Sequence, residues 1–242
     1  MIVCVGLATC DTIYRVPVLP DPDGRVVATE RVVAGGGPAA TAAVAIARLG
    51  VPVRFVGVVE GDLPGVEVVR LPGRMVESTI LVGDGTRAIV TEEPELFTCP
   101  SEALEDADWV HVDHVGYRAL PASTQARVSV DGGNPIPGLD LTGVELYAPN
   151  RDDGLRAPLT VITRGAGGCT AYSGDDVIEV PGEQVDGLVS TLGAGDVFHG
   201  ALLAAFARGL DLRDALVAAN RCAALSCRAL DGRAAIPAWE EL

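Results

Sequence analysis

The chain has no lysine: all 18 of its basic residues are arginine. That absence excludes a P-loop lysine, a Schiff-base lysine and a lysine general base together. A cation beside an anionic substrate must then be arginine or a metal ion. Basic residues are also outnumbered, 18 against 33 acidic ones for a formal net charge of −15, which disfavours nucleic acid and acidic membrane surfaces as partners. The six cysteines (Cys4, Cys10, Cys99, Cys169, Cys222, Cys227) form no CxxC and have no short spacing to a histidine. A zinc site or thioredoxin-type centre is therefore not expected, and the thiols read as small buried apolar groups. His111, His114 and His199 likewise give no ligand pattern and read as structural. No apolar run reaches about eighteen residues, and the amino-terminal MIVCVGLATCD lacks the basic flank of a signal peptide. The expectation is a soluble, cytoplasmic protein.

What the chain does have is apolar material, 48% over 242 residues, enough for one large α/β domain spanning 1–242. Ile2–Leu7 reads as a buried central strand with Asp11 at its carboxyl end. Ile13–Val33 contains Pro17, Pro20, Pro22 and Gly24 and reads as two short peripheral strands around an irregular turn. Gly35-Gly36-Gly37-Pro38 opens a helix that runs to Leu49 and stops at Gly50. Val51–Val59 returns as a strand. Leu63–Arg74 is expected to hold a compressed helix, and Ser78–Val82 and Thr86–Thr91 flank an Asp84-Gly85 hairpin turn. Trp109–Val112, Arg127–Val130 and Leu159–Thr163 complete the expected core strands, with Asp131–Leu155 a loop-rich stretch between the last two. Helices are expected over Gly195–Arg208 and Leu212–Leu230, the second capped by Asp211 and Asp214. Strands alternating with helices imply a mostly parallel sheet whose ligands bind at the strands' carboxyl ends.

Gly193-Ala194-Gly195-Asp196 carries the chemistry. A helix amino terminus has unpaired N–H groups and a partial positive charge, and these small residues leave its backbone bare for a phosphate. Asp196 adds a fixed base beside that anion, a combination suited to phosphoryl transfer to a hydroxyl. Asp11 can accept hydrogen bonds from vicinal hydroxyls, and the backbone at Gly35, Gly36 and Gly37 can approach a sugar closely. No GxGxxG follows the first strand, which argues against a nicotinamide-binding enzyme.

Ser190-Thr191-Leu192-Gly193-Ala194-Gly195-Asp196-Val197-Phe198-His199-Gly200-Ala201 resembles the D-T-x-G-A-G-D-x-F-x-G-A signature of the ribokinase-like (PfkB) carbohydrate kinases. Gly36-Gly37 through Ala47-Arg48-Leu49-Gly50 is similar to the family's glycine pair and A-R-L-G helix. Val161–Gly168 resembles its nucleotide turn, and Asn150 with Asp153 its N-x-x-E. Within the family the wording GGGPAATAAVAIARLG, GDVFHGAL and Gly232–Pro237 is closest to sulfofructose kinases. The resemblance implies a three-layer α/β/α fold with a mostly parallel central sheet and a small β-sheet lid, its strands at about 12–33 and 75–92. It implies ATP, Mg²⁺ and a small sugar substrate, with a monovalent cation left open. It makes Asp196 the base and Gly193–Gly195 the anion hole. Arg25, at an anion-contacting lysine position, and Thr41 join Asp11 and Gly35–Gly37 on the sugar. Asn150, Thr163, Arg164, Gly165, Gly168 and Asn220 border the nucleotide, and Asp153 holds Mg²⁺ through water. A nucleoside kinase of the same family and an impaired sugar- or nucleotide-binding regulatory protein are the alternatives. The exposed edges of the lid strands suggest a homodimer formed through the lid.

Overall fold

A computed structural model describes residues 1–242. The first half of the chain forms β1 (Ile2–Val5), β2 (Thr9–Arg15), β3 (Glu30–Gly36), α1 (Pro38–Arg48), β4 (Val53–Gly57), β5 (Glu67–Arg70), β6 (Val76–Gly83), β7 (Thr86–Thr91), β8 (Trp109–Val112) and the one-turn α2 (Gly116–Ala119). The second half forms β9 (Arg127–Gly132), β10 (Val144–Pro149), β11 (Leu159–Thr163), β12 (Cys169–Ser173), β13 (Asp176–Val180), α3 (Ala194–Ala207) and α4 (Leu212–Ser226).

Every residue of β1 is buried, as its unbroken apolar sequence requires of a strand covered on both faces. It pairs in parallel with β4 and β8 at the middle of a nine-stranded sheet ordered β13-β12-β11-β10-β9-β8-β1-β4-β5. The pairing is parallel from β5 through β11, and only β12 runs against the other strands, so that its pairings with β11 and β13 are antiparallel. A second sheet, ordered β3-β2-β6-β7, stands apart from the first. This is the ribokinase-like α/β arrangement, and no helix is long and apolar enough to cross a membrane.

One face of the large sheet is covered by α1, α3 and α4. Ile2, Cys4, Phe55, Trp109, Leu146 and Val161 from the sheet meet Ala42, Ile46, Leu202 and Leu216 from the helices in one cluster of 33 buried residues. The alanines of α1 matter for spacing. A Cβ added at Gly200 of α3 would lie 2.5 Å from the Ala42 carbonyl oxygen, so these two helices pack almost backbone to backbone. Their amino termini, and the loops that open them, are thereby held close. The opposite face carries Val3, Val5, Val110, Val112 and Val130 under a thinner cover of α2, a 3-10 turn at Ser101–Leu104 and loops.

Four local expectations need correction. Leu63–Arg74 contains strand β5 instead of a helix, since Val68 and Val69 are β-branched and pair with the edge of β4. Asp131–Leu155 contains the buried strand β10; a strand covered on both faces has no period-two alternation, and proline and glycine on its flanks hid it. The β12–β13 hairpin was not anticipated. Asp11 lies within β2 of the small sheet, not at the end of β1, because the chain turns sharply at Gly6, with φ of +154°, and starts a new strand at Thr9.

The carboxylate at the end of the central strands is Asp113, just past β8. It accepts four backbone N–H groups: Leu7 at 2.8 Å, Ala39 at 3.2 Å, and Val115 and Gly116 each at 2.9 Å. Through these four bonds one buried side chain ties the end of β1, the start of α1 and α2 together. Its carboxyl is raised by burial, against the pull of His114 and these amides.

Candidate active site

The two sheets and the carboxyl ends of the parallel strands enclose a cleft of about 670 Å³. Its wall includes Gly193, Ala194, Gly195 and Asp196 at the mouth of α3, Asp11, Gly35, Gly36, Gly37 and Thr41 on the small-sheet side, and Asn150, Thr163, Gly165, Gly168 and Asn220 at the far end. Fourteen of the seventeen residues expected at the site thus share one cavity. Arg25, Arg164 and Asp153 do not line it. Arg25 is exposed in the loop between β2 and β3, and Arg164 points outward from the turn after β11. Asp153 accepts hydrogen bonds from the Tyr147 hydroxyl and, at 3.0 Å, from the Leu155 amide, so it braces its own loop.

The bare turn behaves as its composition suggests. Gly193 adopts a left-handed conformation, φ +73°, as the residue before α3. The first intrahelical bond is Val197 N–H to the Gly193 carbonyl at 2.9 Å. The amides of Gly195 and Asp196 therefore have no backbone acceptor, the condition for an anion cradle. A Cβ at Gly195 would meet no atom within 4 Å, so this residue opens onto the cleft.

Gly35, Gly36 and Gly37 are bare for a different reason. A Cβ at Gly36 would fall 2.0 Å from Oδ2 of Asp11, at Gly37 2.4 Å from the Leu7 carbonyl, and at Gly35 2.6 Å from Nη1 of Arg233. Their missing side chains make room for the protein itself rather than for a sugar. Arg233 donates from Nε to Thr41 Oγ1 at 3.1 Å and from Nη2 to the Gly36 carbonyl at 2.5 Å. It thereby fastens the carboxyl-terminal segment to α1 and β3. Burial lowers its guanidinium to about 10, against the opposing charges of Asp11, Asp196 and Asp231. Asp11 itself is 7% exposed and takes the Thr9 hydroxyl at 2.6 Å. Burial raises its carboxyl, which Thr9, Arg233 and Ser78 partly offset.

Asp196 accepts no hydrogen bond. Burial, and then the neighbouring charge of Asp131, push its carboxyl up to about 7; His199 opposes them, Asp113 reinforces them and Arg233 opposes them again. A carboxyl poised near neutrality in a cleft is suited to proton transfer.

Three further residues of the site were not assigned to it from the sequence. Asp131 closes β9, and its Oδ2 lies 3.2 Å from Nδ1 of His199 on α3, with both side chains 5% exposed. Arg87 of β7 donates to Thr191 Oγ1 at 3.1 Å, bridging the small sheet to the loop before Gly193, and is the only arginine in the cleft wall. Asp131 and Asp113 each stand one residue past the end of the strand read from the sequence. The rule that ligands gather at strand carboxyl ends would have found both.

At the nucleotide end, Gly168 turns with φ +83° against Val180 and Gly182, and Gly165 faces open space. Asn220 donates to the Pro181 carbonyl at 3.2 Å, joining α4 to the strand end of β13, and Asn150 donates to the Gly133 carbonyl at 3.1 Å.

Comparison with known proteins agrees with this geometry. The model for the pfkB family carbohydrate kinases matches residues 148–239, the span from Asn150 through the anion loop to α4. The chain is similar to an ATP-dependent ribose-1-phosphate kinase of Halopiger xanaduensis, 24% identical over 270 residues that cover 93% of this chain and 91% of that protein. A ribokinase candidate from Agrobacterium tumefaciens has a crystal structure that superposes with a TM-score of 0.79 at 26% identity, covering 99% of this chain and 95% of that one. The nucleoside kinase of Burkholderia thailandensis, solved with inosine, shares the fold at a TM-score of 0.79 and 17% identity, over 100% of this chain and 94% of its own. The fold is thus matched from end to end, and residues 148–239, the segment that forms the helix mouth and nucleotide turn of the cleft, match the pfkB family of carbohydrate kinases.

Proposed function

We propose that the protein transfers the γ-phosphate of ATP to a hydroxymethyl group of a small sugar or sugar derivative, with Asp196 as general base and Gly193–Gly195 as the anion hole. The observation that carries the reading is the unpartnered Asp196 carboxylate beside the free amides of Gly195 and Asp196, in one cleft with Asp11 of the small sheet and Thr41 of α1. In the transfer, the hydroxyl proton passes to the Asp196 carboxylate as the hydroxyl oxygen bonds to the γ-phosphorus. The bond from that phosphorus to the β,γ-bridging oxygen breaks, and ADP leaves with the bridging electrons. The amides of Gly195 and Asp196 donate hydrogen bonds to the γ-phosphoryl oxygens and stabilise the charge that develops there. Mg²⁺, when bound with the nucleotide, would supply charge neutralisation on the phosphates. The protein's own part is to hold the alcohol at Asp11, exclude water under the small sheet and take the proton at Asp196.

The substrate binds between the helix mouth and the small sheet, and the nucleotide between the Gly165–Gly168 turn and Asn220. Arg25 lies outside the cleft, so the sulfonate contact implied by its resemblance to a lysine position has no support from its placement. Arg87 is the cleft's own cation, and the similarity to a ribose-1-phosphate kinase favours a phosphorylated pentose among the sugars to test. A thermal-shift panel of pentoses, ketoses, phosphosugars, sulfosugars and nucleosides, with and without MgATP, tests the reading. Stabilisation by a sugar or phosphosugar that grows with MgATP is the expected result. A response to nucleosides alone would replace it with the nucleoside reading, and a sugar response without phosphoryl transfer would replace it with the regulatory one.

The small sheet serves in this reading as lid and dimer surface. Its edge strands β3 and β7 expose Val33, Ile89 and Val90, the last at 73%, an apolar edge that a second copy would cover. Light scattering at micromolar concentration is expected to give twice the chain mass; the mass of one chain would remove this surface from the proposal.

A further inference from the structure

Beyond the reading of Asp196 as base, on which this inference rests, two buried groups stand directly behind that carboxylate. His199 is three residues along α3 from Asp196, the spacing that places two side chains on one face of a helix. Its Nδ1 is 3.2 Å from Oδ2 of Asp131, and all three residues line the cleft. Asp131 is pinned from its other side, where Oδ1 accepts the Gly133 amide at 2.7 Å. Burial alone would raise its carboxyl, but the charge of His199 outweighs that and holds it down to about 2. Burial works against a charged His199, while the adjacent charge of Asp131, followed by that of Asp196, raises the imidazole above its ordinary value.

The surroundings leave His199 as the charge that counts. His111, with its Nδ1 3.1 Å from Ser129 Oγ, is driven down to about 3 by burial and then by His199, so it is neutral. Arg233 faces Asp196 from the carboxyl-terminal segment, but two of its guanidinium nitrogens are committed to Thr41 and Gly36. Asp113 faces it from beyond β8 with the same sign of charge. The buried faces of α1 and α4, the other helices against α3, carry alanines, Thr41 and the Cys222 thiol, which burial pushes up to about 12.

We propose that His199, clamped as an imidazolium by Asp131, is a positioning residue that keeps Asp196 in its charged, proton-accepting form. Burial and the like charges of Asp131 and Asp113 favour the protonated and useless form of Asp196, and Arg233 supplies only a smaller opposing charge than His199 does. The pH dependence follows in sign. With the carboxyl at about 7, turnover falls as pH drops through that value. Loss of a nearby opposite charge moves a carboxyl up by about one unit or more, so His199→Gln should carry the acid limb of kcat upward by about one unit and recover at alkaline pH.

Two spectroscopic measurements test this without relying on activity. In the wild-type protein, ¹⁵N-detected titration of the His199 ring should show it protonated at pH 7; a neutral ring there would overturn the proposal even if the variants fail to fold. ¹³C titration of the Asp196 carboxyl should move up by about one unit in His199→Gln and stay in place in His111→Gln. An unmoved Asp196 in a folded His199→Gln, or a kcat lowered equally at every pH, would overturn it. Stoichiometric Zn²⁺ in the purified protein, lost in both histidine variants, would overturn it also, since the rings would then be ligands. If Asp196→Asn keeps full turnover, the base reading fails by itself, while the carboxyl titration still reports on His199.

Discussion

Asp196→Asn is expected to lower kcat by about 10²- to 10⁴-fold, the range of general-base assistance, with little change in nucleotide affinity. The substitution is nearly isosteric and removes only the ability to take a proton. It should not cost the fold, because the Asp196 side chain accepts no hydrogen bond and the residue before α3, Gly193, supplies no side-chain cap. It also removes a negative charge from the wall that meets the phosphates, so ATP binding is expected to hold or tighten. An effect confined to kcat marks an interaction made only as the proton moves, whereas a rise in KM alone would make Asp196 a binding residue. Initial-rate kinetics, with ATP affinity measured separately by calorimetry, resolve these outcomes. A variant with wild-type kcat would remove Asp196 from the base role.

Gly195→Val is the second large effect, expected at about 10²- to 10³-fold in kcat, comparable to loss of an anion-hole donor. The reason lies in what surrounds the two kinds of glycine in this cleft. At Gly36 an added carbon strikes Asp11, so substitution there disturbs the protein; at Gly195 it meets nothing within 4 Å and projects into the cleft. Valine would occupy the position from which a phosphoryl oxygen reaches the Gly195 and Asp196 amides. Because Gly195 is within the first turn of α3 and its φ is not in the left-handed region, the helix should survive. The melting temperature should change little as turnover collapses. Unaltered turnover would mean that the phosphate is held elsewhere.

How far the sequence reached can be judged from these residues. Segments whose signals are local were legible: the Asp84-Gly85 hairpin, the Pro38 helix entry, and the glycine turn with Asp196 on α3 all rest on neighbours within a few positions. The strands that escaped, β5, β10 and the β12–β13 hairpin, either sit at a sheet edge or are buried on both faces, and neither setting leaves a periodic trace. In the site, the same division holds. Gly193–Asp196 is a contiguous cradle, but the Asp131–His199 pair joins residues 68 positions apart (199 − 131), and Arg87 reaches Thr191 across 104. Such pairings exist only once the sheets are stacked. Conversely, Arg25, Arg164 and Asp153 were placed at the site by motif position, and local geometry turns each away: an exposed loop, an outward turn and a carboxylate engaged by Tyr147. The glycines at 35–37 were correctly placed in the cleft, yet their bareness serves Asp11, Leu7 and Arg233.

The central question for this cleft is whether Asp196 accepts a proton as phosphate leaves ATP. Phosphorus NMR of the purified protein with MgATP and the sugar or phosphosugar that stabilises it most, run in parallel with Asp196→Asn, measures this. The account predicts a new phosphate-ester resonance and matching ADP from the wild type, and neither from the variant on the same timescale. ATP left intact by the wild type with every stabilising sugar, or equal product from the variant, would contradict it.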